Sequence, residues 1–258
     1  MSILKRNVAI VVPVHKYKFN NDEKISINQL KKLKGYHFYL AIPVKYKNKK
    51  FKEFTNFKKI CFGNNFFESY KGYNKLLKSK IFYLEFKKYK YILIYQTDCL
   101  VFKNNLLKFC KKNYDYIGAP IFQYNRKGKI CGVFVGNGGL SLRKVESFLK
   151  VLDERNKLLK RLLWILTHLL LLPKKTLTYL LASKPRAISH LFTINEDMFW
   201  SLEAKKFYPQ FKIAPFKEAC KFAIEMEIEK CLKINKNKLP FGCHAFQKYK
   251  NFWLKKLK

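Results

Sequence analysis

Four short segments of this 258-residue sequence hold side chains able to do chemistry. Asp98 closes Gln96-Thr97-Asp98, directly after the apolar run YILIY (91–95). A carboxylate at a strand end can hold a hard divalent cation such as Mg2+ or Mn2+, which favours oxygen ligands and bridges to substrate phosphates. A capping or turn Asp is an equal alternative. Glu196 and Asp197 stand together ahead of Met198-Phe199-Trp200. Such a pair can supply a general base and a partner for a substrate hydroxyl, or form an acidic helix start favoured by the macrodipole. Gly136-Asn137-Gly138-Gly139 lets the backbone approach a ligand closely, although a tight hairpin would use the same residues. It matches neither the dinucleotide fingerprint nor the P-loop. His244 ends the turn Pro240-Phe241-Gly242-Cys243-His244 and gains weight as a ligand only in company with Asp98. His15, after Pro13, is weaker, and His37, His168 and His190 have no supporting context. Without a G-x-S-x-G elbow or an S-x-x-K motif, serine hydrolysis has no support.

The elements that must position these residues follow from hydrophobic periodicity. VAIVV (8–12), closed by Pro13, reads as a buried parallel strand. A helix-like pattern over Asp22–Leu33 follows, then a strand His37–Ile42 and a short strand around Cys61–Phe62. A helix is expected over Tyr73–Phe86, the clearest buried strand over Tyr91–Tyr95, and another short one at Tyr116–Ile117. Val145, Phe148, Leu149 and Leu152 start a helix after the glycine segment. The alternation predicts an α/β fold with a mostly parallel central sheet flanked by helices. Ligands of such sheets bind beyond the carboxyl ends of the strands, which puts Pro13–His15 and Gln96–Asp98 on one rim.

Composition narrows the function classes. The chain has 54 Lys+Arg against 17 Asp+Glu, a net charge of +37, yet only six of the basic residues are Arg. Lys is a diffuse point charge, whereas Arg is the bidentate reader of bases and phosphates, so the charge suggests anionic partners without naming them. At 48% hydrophobic and 17% aromatic the chain is no disordered tail. Seven scattered Cys without C-x-x-C argue against a disulfide framework or a structural zinc, and for a reducing cytoplasm. The run Val8–Val14 lacks a signal-peptide cleavage site. The apolar segment 162–172, part of a helix expected over 158–172, would span roughly 17 Å against a bilayer core of roughly 30 Å. It is too short to cross a membrane but could lie on one.

In order, YILIYQTDCLVF (91–102), YDYIGAPIF (114–122), GNGGLSLR (136–143), NEDMFW (195–200) and PFGCHAF (240–246) resemble the motifs of a bacterial family of candidate glycosyltransferases, long labelled only as a domain of unknown function. VVPVHK (11–16) and GYNKLLKSKIFY (72–83) fit the same pattern, so the resemblance spans about residues 8–250. That family resembles GT-A-fold, Rossmann-like, nucleotide-sugar-dependent enzymes, distantly those of the β-1,3-galactosyltransferase type. The resemblance implies that Pro13, Val14, His15, Tyr73, Asn74, Gln96, Thr97 and Asp98 bind the nucleotide sugar, with Asp98 as the last acid of a D-x-D motif whose first acid is missing. It implies a divalent cation, Mn2+ or Mg2+, on Asp98 and His244. Asn137, Gly138, Gly139, Phe241 and Gly242 would line the donor or acceptor sugar, with Asp197 as catalytic base of an inverting enzyme and Glu196 positioning the acceptor.

The expected organisation is one domain, 1–258, with a helical insertion at about 153–190 and a basic tail at 247–258. The expected partners are a nucleotide-sugar donor, UDP-linked, and a glycan or lipid-linked acceptor of a cell-surface polysaccharide. An anionic membrane surface is a further candidate, with the enzyme cytoplasmic or peripheral on the inner face. Nucleic-acid binding competes on charge, but Arg is scarce and no RRM, KH or zinc-finger pattern occurs. A sugar nucleotidyltransferase would need an N-terminal Gly-rich loop that is missing, and a membrane-surface protein would not need the QTD, GNGG and NED segments.

Overall fold

The computed structural model describes residues 3–169 and 194–257. The first strand, β1 (Val8–Pro13), is followed by α1 (Asn21–Gln29), β2 (His37–Pro43), β3 (Lys58–Phe62), α2 (Tyr70–Leu77), α3 (Lys80–Leu84) and β4 (Tyr91–Tyr95). Then come β5 (Leu100–Val101), α4 (Leu106–Lys111), β6 (Tyr116–Gly118), the hairpin β7 (Pro120–Tyr124) and β8 (Ile130–Val135), β9 (Leu140–Lys144) and α5 (Val145–Leu169). After the second described stretch begins, α6 (Glu196–Met198), α7 (Phe216–Phe222), β10 (Ala223–Ile224) and β11 (Gly242–Cys243) complete the elements used below.

Six strands form the central sheet in the order β3-β2-β1-β4-β9-β6. β2, β1 and β4 pair in parallel, as do β2 and β3. β9 runs antiparallel to both β4 and β6. The expected mostly parallel α/β sheet is therefore present, with helices over its faces. Apolar runs such as VAIVV and YILIY are what a strand buried on both faces requires. Alternation along each strand divides them between two cores. Val8, Ile10 and Val12 join Leu40, Ile42, Leu93 and Tyr95 on one face; Ala9 and Val11 join Ala41, Ile92 and Ile94 on the other.

Two departures from the sequence reading, and one expected helix start, have clear physical causes. The helix expected over Tyr73–Phe86 is two helices, because Ser79 is extended and its hydroxyl donates to the Leu76 carbonyl at 2.6 Å. A local side-chain bond of this kind competes with helix continuation. The helix start near Asp22 is fixed by Asn20, whose side chain accepts from the Glu23 amide while Glu23 accepts from the Asn20 amide, both at 2.9 Å, a reciprocal capping box. The glycine segment is not a hairpin turn: that turn lies at Asn125–Lys129, and Gly136–Gly139 joins β8 to β9.

Of the helix expected over 158–172, residues 158–169 fall within α5 (Val145–Leu169), while 170–172 and much of the insertion expected at 153–190 lie outside the described residues. Among the described residues no helix is long and apolar enough to cross a membrane. The basic segment after 246 is anchored: Trp253 is fully buried and stacks on Phe102 at 5.4 Å.

Candidate functional site

The sheet order reverses at β1: β2 and β3 lie to one side, β4 to the other. That reversal opens a crevice beyond the carboxyl ends of β1 and β4. A cleft of ≈ 510 Å³ occupies it, lined by Pro13, Val14 and His15 from the end of β1 and Gln96, Thr97 and Asp98 from the end of β4, with Tyr70 and Tyr73 of α2. Both rim segments expected from sequence are thus in one cleft. His15 is exposed on the rim, and partial desolvation together with the adjacent Lys16 charge lowers its pKa.

A second, smaller cavity of ≈ 90 Å³ continues from the cleft through shared walls Tyr70, Tyr73 and Gln96. Asn74, Asn137, Gly138, Gly139, Glu196, Asp197 and His244 complete its lining. Topology explains the meeting. The antiparallel β9 starts at the rim where β4 ends, so the glycine segment arrives beside Gln96, whose amide donates to the Gly139 carbonyl at 2.9 Å. A short second sheet, β10-β11-β5, does the rest. β5 follows Asp98, and β11 pairs antiparallel with it, Cys243 opposite Leu100. His244, the next residue, therefore reaches Asp98. β10 pairs parallel to β11, Ile224 opposite Cys243, which sets Glu225 beside His244.

His244 is held from both ring nitrogens. Nδ1 is 3.0 Å from Glu225 Oε2, and Nε2 is 3.1 Å from Gln96 Oε1 and 3.4 Å from Asp98 Oδ1. Burial disfavours the imidazolium, but hydrogen bonds and charge from Asp98 and Glu225 outweigh it and raise the pKa to about 9. The spot in front of Nε2 therefore prefers positive charge. Glu225 is buried, yet His244 and Lys248 hold its carboxyl down at about 2 against that burial. Lys248 Nζ donates to its Oε1 at 2.7 Å, and Asn137 Nδ2 donates to its Oε2.

The ligand atoms of Asp98, Cys99 and His244 lie within 4.8 Å of one another. The Cys99 thiol donates to the Gly139 carbonyl at 3.4 Å, and burial pushes its pKa far up, so it stays a thiol. Asp98 and His244 remain as the donor pair. Their chemistry fits a divalent cation: a partly exposed carboxylate, and an imidazole whose other nitrogen is fixed by a second carboxylate, as metal-binding histidines commonly are. Gln96 stands where the first acid of D-x-D would be, its Nε2 donating to Tyr73 Oη at 3.0 Å.

Opposite this group, Glu196 is only 4% exposed. Its Oε1 accepts from Arg143 Nη2 at 3.0 Å, while Oε2 is buried and has no hydrogen-bond partner among the described residues. Arg143, at 0% exposure, also donates from Nη1 to Tyr83 Oη and from Nε to Ser141 Oγ. Burial raises the Glu196 pKa, with Arg143 opposing. The backbone amide of Glu196 donates to Asn74 Oδ1 at 2.5 Å, tying α6 to α2. Asp197 is partly buried; burial raises its pKa, against the amide of Met198, which donates to Oδ1 at 2.8 Å. The acidic pair does open a helix, as one reading of the sequence had it, and lines the cavity as well.

The two central glycines leave room for these groups. A Cβ on Gly138 would sit 1.8 Å from Glu196 Oε1, and one on Gly139 would sit 2.1 Å from His244 Nε2. Phe241 and Gly242, expected at the sugar, stand elsewhere. Phe241 is fully buried, stacked on Phe222 at 5.3 Å, and Gly242 lies within β11, where a Cβ would meet the Leu100 carbonyl at 2.4 Å. They build the second sheet rather than the cavity wall. Glu225, Arg143 and Lys248 were not singled out from sequence. The one signal for Glu225 is that it directly follows the apolar stretch Phe222-Ala223-Ile224, a strand-end position like that of Gln96 after YILIY.

The molecule is thus an α/β protein with a rim site of paired carboxylates, a fixed histidine and a glycine-lined cavity. A family model described as "Protein of unknown function (DUF5672)" matches residues 56–244, and the chain belongs to that family. No curated protein matches it. Among solved structures, 4-diphosphocytidyl-2C-methyl-D-erythritol synthase from Anaerococcus prevotii DSM 20548 is similar at 5% identity and a TM-score of 0.37, over 59% of this chain and 76% of that one. The mannosyltransferase Ktr4p from S. cerevisiae, solved with GDP, is similar at 10% identity and a TM-score of 0.40. That match covers 58% of this chain, which spans 60% of the mannosyltransferase chain.

Proposed function

We propose that the protein is a GT-A-like glycosyltransferase that moves a sugar from a nucleotide-sugar donor, UDP-linked, to a hydroxyl of a cell-surface glycan or lipid-linked acceptor. The observation that carries this reading is the convergence of Asp98, His244, Glu196, Asp197 and the glycine segment on one small cavity opening into the cleft at the β1–β4 rim. The cleft takes the nucleotide and the cavity takes the transferred sugar. A lysine-rich surface, at a net charge of +37, draws in the diphosphate.

Asp98 and His244 would hold a divalent cation, which when bound neutralises charge building on the departing diphosphate. Asp197 takes the proton of the acceptor hydroxyl as that oxygen bonds to the anomeric carbon. The bond from the anomeric carbon to the diphosphate oxygen breaks, and the nucleoside diphosphate leaves with the electron pair. The product has inverted configuration. A base held above the ordinary carboxylate range suits this step near neutral pH. Glu196 Oε2, lacking a partner among the described residues, receives a sugar hydroxyl; the Arg143 guanidinium opposes the burial that raises its pKa. Docking on an anionic inner leaflet through the apolar stretch at 158–172 and its lysine flanks would bring lipid-linked acceptors within reach.

A panel of nucleotide sugars, assayed for binding and slow hydrolysis with Mn2+, Mg2+ or chelator, tests the reading. One donor should bind and release its nucleoside diphosphate faster with the ion. No response to any donor would contradict it. Liposome co-sedimentation with and without 158–172 tests the membrane part, and unchanged binding after deletion would remove that segment as the anchor.

A further inference from the structure

Glu225 lies outside every motif of the site, yet it joins two of its segments to the basic tail. Oε2 accepts from Asn137 Nδ2 in the glycine segment and faces Nδ1 of His244 at 3.0 Å; Oε1 accepts from Lys248 Nζ at 2.7 Å. Its place is set by the pairing of β10 with β11, two residues long each. We propose that Glu225 is the positioning residue of the site: one carboxylate oxygen fixes the His244 imidazole so that Nε2 faces Asp98 and Gln96, and the same oxygen fixes Asn137 against the sugar end of the cavity.

The chemistry follows from the ring. A neutral imidazole carries one N–H, and which nitrogen holds it is decided by the bond the other makes. Nε2 faces two acceptors, Gln96 Oε1 and Asp98 Oδ1, and carries a proton of its own. With Nδ1–H held by Glu225, the Nε2 proton is the one a cation would displace, which frees that lone pair beside Asp98. Without an acceptor at Nδ1 the ring can rotate, exchange tautomers, or turn N–H toward the place a cation would take. Asn137 has the matching constraint. Its Nδ2 is bound to Glu225, while its Oδ1 accepts from the Gly139 amide at 3.0 Å, so both ends of the amide are committed and the glycine segment is held in one shape. Lys248, more than half exposed on its side chain, adds charge to Oε1 and leaves Oε2 to these two partners.

The sugar half of this proposal rests on the glycosyl-transfer reading; the cation half does not. The test is Mn2+ binding to the full chain by electron paramagnetic resonance, for wild type, Glu225→Gln, Glu225→Ala and Lys248→Met, with thermal melting of each. Loss of an outer partner of a metal-binding His costs roughly 10–100-fold in affinity. Both Glu225 variants should lose about tenfold or more, and Lys248→Met less than about threefold. Wild-type affinity in a folded Glu225→Gln would overturn the proposal. Should both Glu225 variants unfold, 15N NMR of the wild-type His244 ring with Mg2+ decides instead: Nδ1 should carry the proton, and a proton on Nε2 in the ion-saturated protein would overturn it. If wild type binds no Mn2+, the role of Glu225 falls, while donor turnover in chelator would leave the transferase reading standing. If Mn2+ binds with the expected ranking but no nucleotide sugar binds or turns over, the transferase reading falls and the positioning role holds.

Discussion

Two buried carboxylates serve the small cavity, Glu196 in its wall and Glu225 behind the wall residues Asn137 and His244, and they are treated in opposite ways. Glu225 has a partner on each oxygen, Lys248 on one and Asn137 with His244 on the other, and its carboxyl is held at about 2. Glu196 has Arg143 on one oxygen and nothing on the other among the described residues, and burial raises its pKa. A fully satisfied carboxylate is a strut. A buried carboxylate with a free oxygen costs free energy in the protein alone, and that cost is recovered when a ligand donates to it. On the proposed transferase reading, the difference separates the side that holds the site in shape from the side that would receive substrate.

Second only to loss of the base Asp197, the largest expected fall in turnover comes at Asp98. Asp98→Ala should lower donor turnover by about 10²–10³-fold, the range for removing one electrostatic group at a developing charge, with melting unchanged. Next, Arg143→Met leaves Glu196 as an uncompensated buried charge and should cost about 3–5 kcal/mol in urea unfolding at neutral pH. The sign with pH is fixed. The Glu196 pKa in the folded variant lies above its unfolded value, so stability returns as pH falls and the group takes up a proton. Lys248→Met, at the exposed end of the other carboxylate, should cost less than about 1 kcal/mol. Equal losses in the two variants would erase the distinction between strut and waiting group.

A smaller effect should follow from Gly138→Ala, where a Cβ would strike Glu196 Oε1 at 1.8 Å. Glu196 must then shift, and donor turnover should fall roughly tenfold, since a displacement of about 1 Å can cost up to 10²-fold. The smallest is a displacement in pH. The acid limb of kcat/KM should lie above the ordinary Asp value of about 3.9, because burial raises Asp197 and activity is lost as it is protonated. A limb at or below that value would remove Asp197 as the group that titrates.

The waiting side was legible in the sequence and the strut was largely not. VAIVV and YILIY read as buried strands because five consecutive apolar residues are hard to place otherwise, and the rim residues follow them directly. Gln96–Asp98 and Glu196–Asp197 are contiguous motifs. The strut depends on β5, β10 and β11, two residues each, too short for any period to register. One of their pairings, Leu100 with Cys243, joins positions more than a hundred residues apart. Phe241 and Gly242 were legible as a turn near the histidine but not as parts of that sheet. The glycine segment was ambiguous because its requirement is set by Glu196 and His244 packing against it from distant parts of the chain.

The most direct measurement is release of nucleoside diphosphate from the best donor of the panel, with acceptor present, by wild type and by Asp197→Asn at equal melting temperature. Acceptor-dependent release by wild type, lowered about 10²–10⁴-fold in the variant as expected for loss of a general base, is the predicted result. Full release by folded Asp197→Asn would contradict the assignment of the base, and no release by wild type from any donor would contradict glycosyl transfer itself.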